Sequence, residues 1–167
     1  TPAEYLSVKN FLSRECADAD YLILAVDMLL YGGIVPSRLH YLPQEEIFSR
    51  VDFIKTLKEA NPNLKIFAFS LVMRCPTYSS GDEEPDYYEV YGERIFRYGV
   101  NEHKYIDNLI AKDEYETEKN RLNVPEKYLN DYLSRREENL SALLRTLKLV
   151  GGAIDEFLIL QDDSNPY

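Results

Sequence analysis

Apolar positions along the chain fall into two kinds of pattern. Three runs are short and nearly continuous: Tyr21 to Val26 (YLILAV), Leu64 to Met73 (LKIFAFSLVM) and Glu156 to Gln161 (EFLILQ). Runs of this length between turn residues read as strands buried on both faces, the kind found in parallel sheets. Elsewhere apolar residues return every third or fourth position. Tyr5, Val8 and Leu12 make one such stripe, and Ile47, Val51, Ile54 and Leu57 a second. Tyr88, Tyr91, Ile95 and Tyr98 form a third, and Leu129, Tyr132, Leu140, Leu143, Leu144 and Leu147 a fourth. Each predicts an amphipathic helix.

Start and stop signals sharpen these boundaries. Thr1-Pro2-Ala3-Glu4 has the form of a capping box and opens a helix from Pro2 to about Cys16. Pro43-Gln44-Glu45-Glu46 puts proline and acids at the next helix start, and Asn61-Pro62-Asn63 stops it. Between Arg38 and Pro43 a loop is expected. Cys75 to Asp86 (CPTYSSGDEEPD) is a loop by every local signal. Residues 102–138 are dense in charge, with Ile106, Leu109 and Ile110 marking an apolar face. Asn123-Val124-Pro125 breaks that stretch, a long helix covers 125–150, and Gly151-Gly152 ends it.

Strand, helix and strand within about fifty residues make a βαβ unit, so the first two strands should be parallel with a right-handed crossover. About eighty residues separate the second and third strands, where a dozen would suffice. The excess is helical and charged. The expected architecture is one α/β domain over 1–167, with a mostly parallel sheet, Rossmann-like or a partial barrel, and a large helical insertion at about 86–150. A solvated hairpin is the simpler reading of that insertion, and a partner-binding arm the other.

Composition narrows the functions. With 167 residues, 45% hydrophobic and 29% charged, the chain can bury a real core. A net charge of -10 opposes non-specific binding to nucleic acid or anionic membrane. No apolar run approaches the ~20 residues of a membrane span. Cys16 and Cys75 are far apart and form no CxxC, so a disulfide-free, cytoplasmic protein is expected. His40 and His103 are isolated and give no zinc spacing. There is no GxGxxG, no P-loop lysine and no GxSxG.

The candidate chemistry lies at strand ends. Parallel strands carry their ligands at their carboxyl ends. There the sequence offers Asp27 after the first strand, Ser70 or Arg74 at the second, and Asp162-Asp163 after the third. The competing reading is turn chemistry: Asp, Ser and Asn cap backbone amides, and Asp27 precedes a Gly32-Gly33 loop.

Three stretches carry a likeness to a known family: LAVDMLLYGGIVPSR (Leu24 to Arg38), FSLVMR (Phe69 to Arg74) and LILQDDSNPY (Leu158 to Tyr167). Together with the tyrosine-rich segment from Tyr87 to Gly92, they resemble the signature segments of a bacterial family catalogued as domain of unknown function 4127. The resemblance spans the chain and implies an internal fragment of a longer member. It brings no settled activity with it.

Three functions fit these residues. The first is a hydrolase of carbohydrate or a related polar substrate. Asp162 and Asp163 would serve as acid/base and stabiliser in some order, and Asp27 would bind hydroxyls or act as second carboxylate. Arg38 would hold substrate, Arg74 would hold it or tune the acids, and Tyr78, Tyr87 and Tyr88 would form an aromatic wall, the competing reading of tyrosines at helical spacing being core. The absence of tryptophan weighs mildly against a sugar site. The second is a Mg²⁺ or Ca²⁺ site built from Asp27, Asp162 and Asp163, with no other cofactor implied. The third is a non-catalytic domain whose insertion binds a partner or self-associates, the oligomeric state being open.

Overall fold

A computed structural model describes residues 2–161. Its elements run α1 (Tyr5–Glu15), β1 (Tyr21–Ala25), α2 (Val26–Tyr31), α3 (Pro36–Leu39), α4 (Gln44–Ala60), β2 (Lys65–Val72), α5 (Tyr88–Ile106), α6 (Lys112–Leu122), α7 (Glu126–Leu147) and β3 (Glu156–Gln161). The fold is α/β with a three-stranded parallel sheet. Two compact units divide the described residues, one of 2–73 with 136–161, the other of 74–135.

The first unit holds the sheet, in the order β1-β2-β3. Leu24 pairs with Ala68, and Ser70 with Ile159, so the strands run parallel as the βαβ pattern predicts. Residues alternate between faces. One face sends Leu24, Ile66 and Ala68 into a core shared with Leu12 of α1, Leu29 and Leu30 of α2, and Val51, Ile54 and Leu57 of α4. The opposite face is open: Tyr21 is 70% exposed, Ile23 77%, Leu158 59% and Leu160 40%. The expectation of strands buried on both sides is therefore corrected. Among the described residues of this unit, β1 and β2 are covered on one side, and β3 is exposed on both beyond Phe157.

Several boundaries differ for physical reasons. The first capping signal lies at Glu4, not at the start of the tetrapeptide. Glu4 is extended, and its carboxylate accepts from the backbone N–H of Leu6 at 3.1 Å and of Ser7 at 2.7 Å. The first strand stops one residue early, because Val26 already opens the short helix α2. Gly32 caps that helix at φ 83°, and a side chain there would meet the Ala3 backbone oxygen at 2.5 Å. The chain before α1 packs against this point, with Ala3 N–H donating to Gly32 C=O at 3.0 Å. The expected loop after Arg38 begins inside a further short helix, α3.

The leucine stripe of α7 is also corrected in part. From Arg136 onward that helix buries Ala142 and Thr146, while Leu140, Leu144 and Leu147 are exposed. Beyond it, Asp155 fastens the start of β3 to β2. Its carboxylate accepts from Ile66 N–H at 2.9 Å, Lys65 Nζ at 3.1 Å and Lys58 Nζ at 3.2 Å. These three donors hold the Asp155 carboxyl at about 2, below its ordinary value.

The second unit is built on tyrosine. Tyr88 and Tyr132 stack with ring centres 5.6 Å apart, Tyr87 and Tyr128 at 4.8 Å, and Tyr105 and Tyr115 at 4.7 Å. The α5 stripe predicted from Tyr88, Tyr91, Ile95 and Tyr98 is the packed face of a helix that continues to Ile106. Gly92 lies on it because a side chain there would stand 2.4 Å from the Tyr88 ring. Ile106 and Leu109 are exposed and do not make the apolar face expected of them.

Candidate functional site

Asp27 is placed by three elements. β1 carries the chain to the carboxyl edge of the sheet, α2 begins at Val26, and Asp27 falls in its first turn. An acid there suits the helix dipole. Its carboxylate turns toward β2, where it accepts from Ser70 Oγ at 3.1 and 3.2 Å and from Leu71 N–H at 3.0 Å. Asp27 is buried, and burial raises its carboxyl above the ordinary value of 3.8. The hydrogen bonds from Leu71 and Ser70 oppose that rise without cancelling it.

A cavity of about 20 Å³ adjoins this carboxylate. Asp27, Tyr31, Ser37, Ser70 and Asn139 supply its polar lining, from α2, α3, β2 and α7. That volume suits one water and is too small for a sugar ring. Asn139 is fixed by donating from Nδ2 to Ser37 C=O at 2.9 Å. The Tyr31 hydroxyl is buried without a hydrogen-bond partner. Burial, then the charges of Asp27 and Glu138, push its pKa well above the ordinary value, so it remains a neutral donor.

The other sequence-derived candidates are distributed as follows. Asp162 and Asp163 lie outside the described residues. Arg38 is buried within α3 of the same unit as Asp27. Arg74, Tyr78, Tyr87 and Tyr88 belong to the second unit. Arg74 joins Tyr78 there, donating to its hydroxyl at 3.3 Å and to Glu83 at 2.7 Å. Tyr87 donates to Asp131 at 2.7 Å, and Tyr88, with no exposed surface, to Pro76 C=O at 2.8 Å. Tyr88 therefore fills the core of its unit, and Tyr78 is the exposed ring of the three. No group of three His, Cys, Asp or Glu side chains is placed to hold a metal among the described residues. No described helix is long and apolar enough to cross a membrane.

Sequence reasoning reached Asp27 and Ser70 but missed Tyr31, Ser37 and Asn139. Tyr31 had a usable signal, since it follows Asp27 by four residues and shares its face once α2 is helical. Asn139 lies amid charge on a long helix and has no local mark.

A parallel sheet with a buried acid at its carboxyl edge defines an α/β protein with a polar internal site. Its family follows from the sequence match: the model of a protein of unknown function, DUF4127, covers residues 1–167, and the chain belongs to that family. No curated protein and no solved structure matches it.

Proposed function

We propose that this chain carries part of a hydrolase site for carbohydrate or a related polar substrate, with Asp27 as the carboxylate that takes a proton from water. The supporting observation is the one-water cavity against a buried carboxyl whose pKa is raised. Inverting hydrolysis needs a general base beside a water, and a second carboxyl to protonate the leaving group. Asp162 or Asp163 is the proposed second group on sequence grounds. Mg²⁺ or Ca²⁺ bound by the same acids is the variant of this proposal in which the ion polarises the water.

A non-catalytic reading also has an observation behind it. Ser70 and Leu71 both bond the Asp27 carboxylate, so the acid would serve as a staple between α2 and β2. Asp27→Asn separates the two. Nitrophenyl glycosides offered with and without Mg²⁺ or Ca²⁺ should be hydrolysed by the native chain. The variant should lose at least about a hundredfold in rate, as removal of a general base does, while its melting temperature stays within a few degrees. A lower melting temperature with no hydrolysis by either protein would establish the staple instead.

A further inference from the structure

The proposed hydrolysis leaves the open face of the sheet unused. Tyr21 and Ile23 of β1 stand on that face with Leu158 and Leu160 of β3, all four exposed. Between them β2 contributes Phe67 and Phe69, both half-buried. The register puts these side chains on one surface, since Ile23 pairs with Phe67 and Phe69 with Leu158. The Tyr21 and Phe67 rings stack there with centres 6.3 Å apart. At roughly 200 Å² per side chain of this size, the exposed fractions of the four leave about 500 Å² of apolar surface. A patch of that extent is at the upper end of what soluble monomers expose, and it marks an interaction surface.

Charge selects the occupant. The chain carries a net charge of -10, so two copies repel each other over most of their surfaces. This face escapes that repulsion. The charged side chains that the strands place on it are Lys65 and Glu156, one of each sign, both where their strands begin. A basic partner, the usual complement of an acidic protein, finds no excess of acid here. An uncharged, aromatic centre is instead what the core of a protein interface requires. We infer that a second copy of this chain packs on the open face, sheet against sheet, about a two-fold axis. The same patch serves both copies, so the contact closes at two. The pair buries about 1,000 Å² in total, at the small end of specific interfaces, and its dissociation constant is on the order of 10 µM. The inference does not depend on Asp27 being catalytic.

The test is sedimentation equilibrium of the whole 167-residue chain. The mass should rise from one copy at about 1 µM to nearly two at about 200 µM. Raising salt from about 20 to 200 mM should tighten the pair several-fold, because it screens the repulsion between two acidic chains. Ile23→Lys and Leu158→Lys should each weaken association at least about tenfold, since each buries an unpaired charge. Their denaturation at about 1 µM, where the chain is monomeric, should stay close to that of the native chain. Leu6→Lys, at an exposed position of α1 off the sheet, should leave association unchanged. A single copy at about 200 µM overturns the inference. So does association that Ile23→Lys and Leu158→Lys leave intact, that loosens with salt, or that grows past two copies.

Discussion

The two units of this protein fill their interiors by opposite means. The sheet-bearing unit packs mainly side chains with no polar atom to satisfy, such as Leu12, Leu29, Ile54, Leu57 and Ile66, with Tyr31 buried among them. The tyrosine unit packs Tyr88 and Tyr132 and must find a partner for each hydroxyl it buries. Tyr88 uses Pro76 C=O, Tyr87 uses Asp131, and Tyr132 donates to the Cys75 sulfur at 3.0 Å. An aliphatic core depends on volume, whereas a tyrosine core depends on volume and on every hydrogen bond. The difference should show in which substitutions each unit tolerates.

The largest loss is expected in the aliphatic core. Leu29→Ala should cost about 3–4 kcal/mol by chemical denaturation, through lost burial and the cavity left behind. Next comes Gly92→Ala, whose added methyl would collide with the Tyr88 ring and the Tyr78 carbonyl. Overpacking there should cost about 2–3 kcal/mol, measured the same way. Tyr88→Phe keeps the ring and removes only the hydroxyl, leaving Pro76 C=O unpaired. A cost of about 1–2 kcal/mol would show that the hydroxyl network supports the core, and no change would show that ring volume suffices. Ile23→Lys, on the open face of the sheet, should move stability by no more than about 0.5 kcal/mol.

Acid should separate two aspartates of the sheet-bearing unit. Asp155 is held at about 2, below its ordinary 3.8, so its stabilising bonds are fully present above 3.8 and lost as pH falls from there through 2. Asp27 is raised, so its contribution has the opposite sign: it is fully present below 3.8 and lost as pH rises through the folded value. Denaturation between pH 2 and 6 should therefore find Asp155→Asn less sensitive to acid than the native chain. Asp27→Asn should be relatively more stable on the neutral side of that range than on the acid side. Parallel curves for all three proteins would contradict both assignments.

The sheet was readable from residues because its signal is local: three continuous apolar runs, one βαβ spacing, and glycine or proline at the ends. The helix face of α5 was readable for the same reason, in Tyr88, Tyr91, Ile95 and Tyr98. What was not readable was set by neighbours. Leu140, Leu144 and Leu147 repeat as a buried stripe would, yet Ala142 and Thr146 are the residues that pack. Ile23 and Leu158 look like doubly buried strand residues, and whether such a face is covered is decided by other elements. At the site, Asp27 was visible as a lone acid closing an apolar run. Tyr31, Ser37 and Asn139 reach the same cavity from α2, α3 and α7. Only the packing of those elements unites them.

The most direct test of the proposed site is the titration of Asp27 itself, followed through its carboxyl carbon by NMR and assigned with Asp27→Asn. Burial, opposed but not cancelled by the hydrogen bonds from Leu71 and Ser70, predicts a midpoint above 3.8. A midpoint at or below 3.8 would mean that the hydrogen bonds from Leu71 and Ser70 outweigh burial, and the account of Asp27 as a desolvated carboxyl would fail.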